Sequence, residues 1–269
     1  KIQANTQQEV DEAIRSSKTS LAAWAQVAVY ERANILYKAA DLLLQRREQI
    51  GEMLMMEIAK DRASAVSEVK RTADFLCFTA DVAKSMEGLA VSGENFPGGS
   101  RNKISYIRRV PLGTVLAISP FNYPVNLAAT KIAPAIMGGN SVVLKPATQG
   151  AISALLLAEA FDDAGLPAGI LNTVTGKGSQ IGDYIVTHPD IDFINFTGST
   201  EVGRHISSLV QMTPLLMELG GKDALIVDEA HRLNEKSGLY ANLGENQIKD
   251  IIATAKCSIF FIDEDQRVT

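Results

Sequence analysis

Cysteine and histidine are scarce in this chain, and their placement rules out several chemistries. The two cysteines, Cys77 and Cys257, stand far apart, so neither a disulfide framework nor a closely spaced thiolate site is expected. The three histidines, His188, His205 and His231, have no ligand-like spacing, and no metal is expected. No run approaches the roughly 18 apolar residues of a membrane span. The polar opening, Lys1-Ile2-Gln3-Ala4-Asn5-Thr6, does not read as a secretory signal. Dense Lys/Arg tracts are also missing; with a formal net charge of −5, nucleic acid is not the expected partner. Together these absences point to a reducing, cytoplasmic compartment.

What remains is globular in composition. At 269 residues, the chain is long enough for one large domain or one and a half smaller ones. Thr6-Gln7-Gln8-Glu9 has the form of a capping box, and Val10, Ala13, Ile14 and Leu21 follow on one helical face. Further helices are predicted over 31–49, 51–60 and 64–86, with Leu36, Ala39, Ala40 and Leu43 as the apolar stripe of the first. A breaker cluster, Glu94-Asn95-Phe96-Pro97-Gly98-Gly99, introduces a partly alternating strand over 103–110, giving a small ribbon over about 95–110.

From Gly113 the texture changes. Short β-branched runs at 114–119, 141–144, 170–174 and 193–196 are each followed by a helical window, and a fifth run lies at 225–227. Strands without alternation, each followed by a helix, predict a parallel sheet buried on both faces. The expected fold is therefore α/β: a Rossmann-like, doubly wound sheet with an N-terminal helical segment and a short β ribbon. Ligands of such sheets bind at the carboxyl ends of the strands.

Those ends carry distinctive residues. After the first strand comes Ser119-Pro120-Phe121-Asn122-Tyr123-Pro124, where the Asn122 amide could steady an oxyanion or cap the helix that Pro124 opens. After the second comes Lys145-Pro146-Ala147-Thr148. Lys145 could bond ribose hydroxyls or a phosphate, or simply snorkel at the sheet edge. Thr148, short and neutral, leaves room for a 2′-phosphate that an acidic residue would repel. Gly176-Lys177-Gly178-Ser179-Gln180-Ile181-Gly182 is one residue longer than the dinucleotide fingerprint and is a weak signal alone. Gly198-Ser199-Thr200 opens a helix, whose N-terminal amides suit a pyrophosphate. Glu218, between apolar residues and two glycines, reads as a general base with a desolvation-raised pKa, or as a carboxylate in a solvated turn.

Taken together, Ser119-Pro120-Phe121-Asn122, Leu144-Lys145-Pro146-Ala147, Phe196-Thr197-Gly198-Ser199 and Glu218-Leu219-Gly220-Gly221-Lys222 resemble the aldehyde dehydrogenase superfamily in order and spacing. The chain up to about Ile226 is most similar to the branch of NADP-dependent, non-phosphorylating glyceraldehyde-3-phosphate dehydrogenases. The resemblance implies NADP lying against Ser119, Lys145, Thr148, Asp183, Gly198 and Ser199. It implies a small-molecule aldehyde substrate, with Asn122 steadying the oxyanion and Glu218 activating water. Arg71 and Tyr123 would contact the substrate, Arg71 through its phosphate, and the family implies a homo-oligomer.

The Gly-Gln-x-Cys nucleophile motif of that superfamily is missing, and Cys257, in Ala255-Lys256-Cys257-Ser258-Ile259, reads as a core cysteine. The expectation is therefore a truncated aldehyde dehydrogenase fold, incomplete for the reaction, with domains at 1–226 and 227–269. In the second, Leu225-Ile226-Val227-Asp228-Glu229-Ala230-His231 is similar to a Walker B or DEAH box, and Phe260-Phe261-Ile262-Asp263-Glu264 repeats the pattern. That segment resembles a foreign fragment of a P-loop ATPase or helicase-like protein, though no G-x-x-x-x-G-K-[ST] is present. The alternatives to a dehydrogenase are an ATP-binding fragment or a non-catalytic subunit.

Overall fold

The structure, a computed structural model, describes residues 2–220 and, as backbone strands, 225–227 and 258–260. The expected Asp228-Glu229 box, Cys257 and the acids after Ile262 lie outside the described residues. The chain divides into two compact units, Lys1–Leu219 and Gly220–Thr269.

In the first unit, α1 (Gln7–Trp24) starts at the expected capping box: Glu9 N–H donates to Thr6 Oγ1 and Thr6 N–H to the Glu9 carboxylate, at 3.3 and 2.7 Å. α2 (Val29–Gln45), α3 (Arg47–Ile58) and α4 (Arg62–Lys84) follow within a few residues of their predicted bounds. The ribbon differs from expectation. Its strands are β1 (Leu89–Ser92) and β2 (Ile104–Ile107), antiparallel, so it begins before residue 95 and its second strand is shorter than 103–110. Short Leu-Ala-Val-Ser carries little strand signal, and a solvent-exposed two-stranded ribbon needs no alternation to be tolerated.

Beyond the ribbon, β3 (Thr114–Ile118), β4 (Ser141–Lys145), β5 (Leu171–Thr173), β6 (Phe193–Gly198) and β7 (Leu215–Leu219) form one parallel sheet in the order β5-β4-β3-β6-β7. The intervening helices are α5 (Asn126–Met137), α6 (Ala151–Asp163), α7 (Asp183–Val186) and α8 (Thr200–Leu209). Side chains of one strand alternate between faces. Accordingly, Val115, Ala117, Val142 and Leu144 join the core under α2 to α6. Leu116, Val143, Ile194 and Phe196 join a second core that includes Val10 and Ile14 of α1, Ile185 of α7 and Ile206 of α8. The doubly wound architecture is as expected, with one correction. The fifth strand is β7, which pairs with β6, whereas Leu225–Val227 (β8) pairs in parallel with Ser258–Phe260 (β9) in the second unit.

Two carboxylates from the helical segment anchor the sheet-covering helices. Glu68 of α4, fully buried, accepts from Val125 and Asn126 N–H at 3.0 and 3.1 Å, at the start of α5. Glu57 of α3 does the same for α6, accepting from Ile152 and Ser153 N–H at 2.9 and 2.8 Å. Each places negative charge where the helix dipole is positive and supplies partners for otherwise orphaned amides. No described helix is long and apolar enough to cross a membrane.

Candidate functional site

Parallel pairing puts the carboxyl ends of the five strands along one rim. Ile118 of β3 stands level with Lys145 of β4 and with Phe196 of β6, and Thr197 of β6 stands level with Glu218 of β7. Lys145 and Gly198 are thus two strands apart, about 10 Å at the usual strand spacing. The expected cofactor and catalytic residues at the strand ends share this rim.

On the β4 side, a cavity of about 360 Å³ is lined by Lys145, Ser179, Gly182, Asp183, Phe196 and His205, among others. Lys145 is 7% exposed, and its ammonium has no hydrogen-bond or ion-pair partner among the described residues. Burial pushes its pKa down. Ser119, equally enclosed after β3, has a buried hydroxyl oxygen that makes no hydrogen bond. Two unsatisfied polar side chains at one rim are costly unless something polar completes them. Ribose hydroxyls and phosphate oxygens supply the acceptors that Lys145 and Ser119 lack, so the residues present fit a nucleotide.

The loop beyond β5 completes that wall. Gly176 adopts φ +154°, and the backbone passes into a wide turn over Gly178–Gly182. Asp183 follows as the first residue of α7; it is exposed, lines the cavity and meets His205 Nε2 at 2.8 Å. Next to this, a cavity of about 180 Å³ is lined by Thr148, Thr175, Lys177 and Gln180 with Pro146 and Ala147. It contains a cation and no carboxylate. At the end of β6, Gly198 sits where a Cβ would lie 2.5 Å from the Phe196 ring, so only glycine lets the chain turn here. Ser199 is engaged as the N-cap of α8, its Oγ accepting from Val202 N–H at 3.2 Å.

Glu218 requires a correction. It lies within edge strand β7 rather than in a turn, and its side chain is 56% exposed. Its pKa is lowered, not raised: the hydrogen bond from the Thr197 hydroxyl outweighs the small desolvation, and Lys131 lowers it further. Lys131 is the residue that sequence reasoning missed. Its ammonium, on α5 and almost wholly buried, donates to Thr197 Oγ1 and lies 3.3 Å from Glu218 Oε2. Burial lowers its own pKa, partly offset by Glu218. The available signal was a lone lysine at a buried position of the otherwise apolar helix Ala128-Ala129-Thr130-Lys131-Ile132-Ala133.

Asn122 and Tyr123 lie in the loop before α5, which starts at Asn126, so Pro124 precedes the helix instead of opening it. Asn122 Oδ1 accepts from Tyr123 N–H at 3.1 Å; the side chain caps no helix. Lys60 fastens this loop: its ammonium donates to the Asn122 carbonyl at 3.1 Å, pairs with Glu68 at 2.6 Å and sits 3.4 Å from the Tyr123 ring centroid. Arg71 of α4 is exposed and unpaired among the described residues. Its neighbour Thr72 accepts from Asn126 Nδ2 at 3.2 Å, and Glu68 caps α5, so Arg71 belongs to the stretch of α4 that meets the start of α5. Among the described residues no cluster of His, Cys, Asp or Glu could hold a metal. Cys77 is a poor nucleophile, its thiol pushed up by burial and by Asp41, Asp74 and Asp81.

Comparison with known proteins matches the model of the aldehyde dehydrogenase family to residues 1–239, past Ile226. The chain is 54% identical over 228 residues to an NADP-dependent glyceraldehyde-3-phosphate dehydrogenase of Streptococcus equinus, covering 85% of this chain and 48% of that protein. It is 48% identical over 231 residues to the maize (Zea mays) protein of the same name, covering 85% and 46%. Among solved structures, the NADP-dependent glyceraldehyde-3-phosphate dehydrogenase of Bacillus halodurans complexed with NADP superposes with a TM-score of 0.82 at 52% identity, covering 86% of this chain and 49% of that one. An NAD-dependent benzaldehyde dehydrogenase of Corynebacterium glutamicum gives 0.77 at 36% identity, covering 84% and 49%. The chain spans about half the length of the relatives it matches.

Proposed function

Since the chain belongs to the aldehyde dehydrogenase family, we propose that its first unit is the NADP-binding part of an enzyme that oxidises aldehydes to carboxylic acids, with glyceraldehyde 3-phosphate as substrate. The observation that carries this is the buried, unpartnered Lys145 ammonium lining a rim cavity, with the unpartnered Ser119 hydroxyl just after the neighbouring strand. Relatives at 54% and 48% identity support the cofactor and substrate.

In this reading Lys145 and Ser119 bond the ribose and phosphate groups, while Gly198 and Ser199 bring the start of α8 to the pyrophosphate. Asp183 contributes from the far wall. Thr148, backed by the cationic Lys177, admits the 2′-phosphate. NADP, when bound, supplies the hydride acceptor. Asn122 donates its amide to the developing oxyanion, and Arg71 with Tyr123 holds the phosphorylated end of the substrate. Glu218, ionised at neutral pH, takes the proton of the hydrolytic water. The nucleophilic thiolate is not supplied by Cys77, and the sequence has no Gly-Gln-x-Cys, so this chain alone binds without turning over. The setting proposed is cytoplasmic and homo-oligomeric, without nucleic acid.

The test is titration with NADP and NAD, followed by thermal unfolding. NADP should raise the midpoint saturably and at lower concentration than NAD; no shift with either would overturn the reading. Glyceraldehyde 3-phosphate should yield no NADPH, and turnover abolished by Cys257→Ser would refute the missing nucleophile.

A foreign, ATPase-like segment over 227–269 is a second reading. It is favoured by the parallel pairing of β8 with β9, since acidic runs follow both strands in sequence. Family matching as far as residue 239 weighs against it. Magnesium-dependent ATP hydrolysis lost in Glu229→Gln would support it, and its absence would remove it.

A further inference from the structure

A third cavity, of about 330 Å³, opens at the other end of the sheet. It is lined by Arg32, Arg108 and Arg109 together with Gly88, Pro111 and Gly138, among others. Pro111 precedes β3 and Gly138 precedes β4, so this pocket sits at the amino ends of the strands, away from the Lys145 rim.

Arg32 is the unusual member. It stands in the first turn of α2, where the helix dipole already makes a cation unfavourable. It is 8% exposed, its Nε is buried without a hydrogen bond, and its guanidinium has no ion-pair partner among the described residues. Burial is the cause that lowers its pKa, and no carboxylate offsets it. Its neighbour Glu31 is committed elsewhere, accepting from Ala28 N–H at 3.3 Å. A buried guanidinium with open donors is expensive unless an anion completes it.

The pocket around it is tightly shaped. Gly139, at φ +81°, packs so closely that a Cβ there would lie 2.3 Å from Arg32 Nη1 and 3.0 Å from Pro111 Cγ. At Gly88 a Cβ would lie 2.4 Å from the Ile107 carbonyl, so the missing side chain lets the end of β2, which leads into Arg108 and Arg109, close on the chain just before β1. Both of those arginines are exposed and have no partner among the described residues. Three arginines thus line one space that no acidic residue lines. That space is about ten times the ~30 Å³ share of one water, more than a single small anion fills.

We propose that Arg32, Arg108 and Arg109 form an anion site for a phosphate group, separate from the cofactor rim, with room for a small phosphomonoester. Arg32 would supply the enclosed, fixed donors, and Arg108 and Arg109 would close over the outer oxygens. Guanidinium forks suit such oxygens bidentately.

The experiment is thermal unfolding and calorimetric titration of the whole chain with inorganic phosphate and with glycerol 2-phosphate, against sodium chloride at matched ionic strength. Both phosphate probes should bind saturably, the monoester more tightly if the extra volume is used and equally if only the phosphate is held. The double variant R108Q/R109Q alters exposed side chains only and should weaken binding about tenfold or more, from two lost charged hydrogen bonds. Lys145→Met should leave the effect intact, which separates this site from the rim. Arg32→Met should abolish binding while raising the unfolding midpoint of the unliganded protein. The proposal is overturned if chloride reproduces the shift, if R108Q/R109Q binds as well as the parent, or if Lys145→Met removes the response. A lowered unliganded midpoint in Arg32→Met would also overturn it, because Arg32 would then have a structural partner.

Discussion

Lys131 of α5 and Lys145 of β4 are buried to similar extents, at 2% and 7% exposure, yet their surroundings are opposite. Lys131 meets Thr197 and Glu218, whereas Lys145 meets no polar partner among the described residues. Both have lowered pKa values because burial penalises the charged form, but only Lys131 has an acid that pulls the other way. The rim therefore has a half that completes its own hydrogen bonds and a half left incomplete. Polar groups that satisfy one another order a site; polar groups that do not are where a ligand gains most.

The largest effect should come from breaking the incomplete half. Lys145→Met should weaken NADP at least tenfold, the loss of one or two charged hydrogen bonds, as read by calorimetry. The unliganded protein should not unfold earlier, since no partner is lost and a desolvated charge is removed. An unliganded midpoint several degrees lower would show that Lys145 already has a structural role and would dissolve the contrast with Lys131.

How much of this division the sequence carried depends on the residue. The strand ends were legible because each short β-branched run stops at a polar or glycine residue: Leu144 before Lys145, Phe196 before Thr197-Gly198. That located Lys145, Ser119 and Gly198 on a common rim. Strand β7 was not legible, because Leu-Leu-Met-Glu-Leu shows no clear strand pattern and exists as a strand through its ladder to β6. Missing it put Glu218 ahead of the fifth strand, and the desolvation expected of it there gave the wrong direction for its pKa. The partners that matter, Thr197 and Lys131, are 21 and 87 residues away and meet it only through the fold. Lys60 and Glu68, which secure the Asn122–Tyr123 loop, were hidden for the same reason.

The completed half can be tested through Glu218 itself. Thr197→Val removes the hydrogen bond that contributes most to holding its pKa down, so the carboxyl should titrate at higher pH, followed by carbon-detected NMR. A depressed carboxylate pKa adds stability above the unfolded value, near 4.5, which is lost as pH falls through the folded one. The variant should therefore lose less stability than the parent as pH falls through that window. With the side chain 56% exposed, solvent screening keeps the difference small. An unchanged titration would mean that Thr197 does not set the charge state of Glu218.

The smallest effect is expected from Lys131→Met, and it sharpens the contrast between the two lysines most. Lysine pKa values lowered by burial make the folded state bind fewer protons than the unfolded one, so each lysine adds stability as pH rises through its folded pKa toward 10.5. Glu218 opposes that shift at Lys131 and nothing opposes it at Lys145. As pH rises toward 10.5, Lys145→Met should therefore lose more of the parent's relative gain in unfolding midpoint than Lys131→Met does. If Lys131→Met instead produced the larger alkaline difference, Glu218 would not be neutralising the buried ammonium, and the pairing of Lys131 with Glu218 would have to be abandoned.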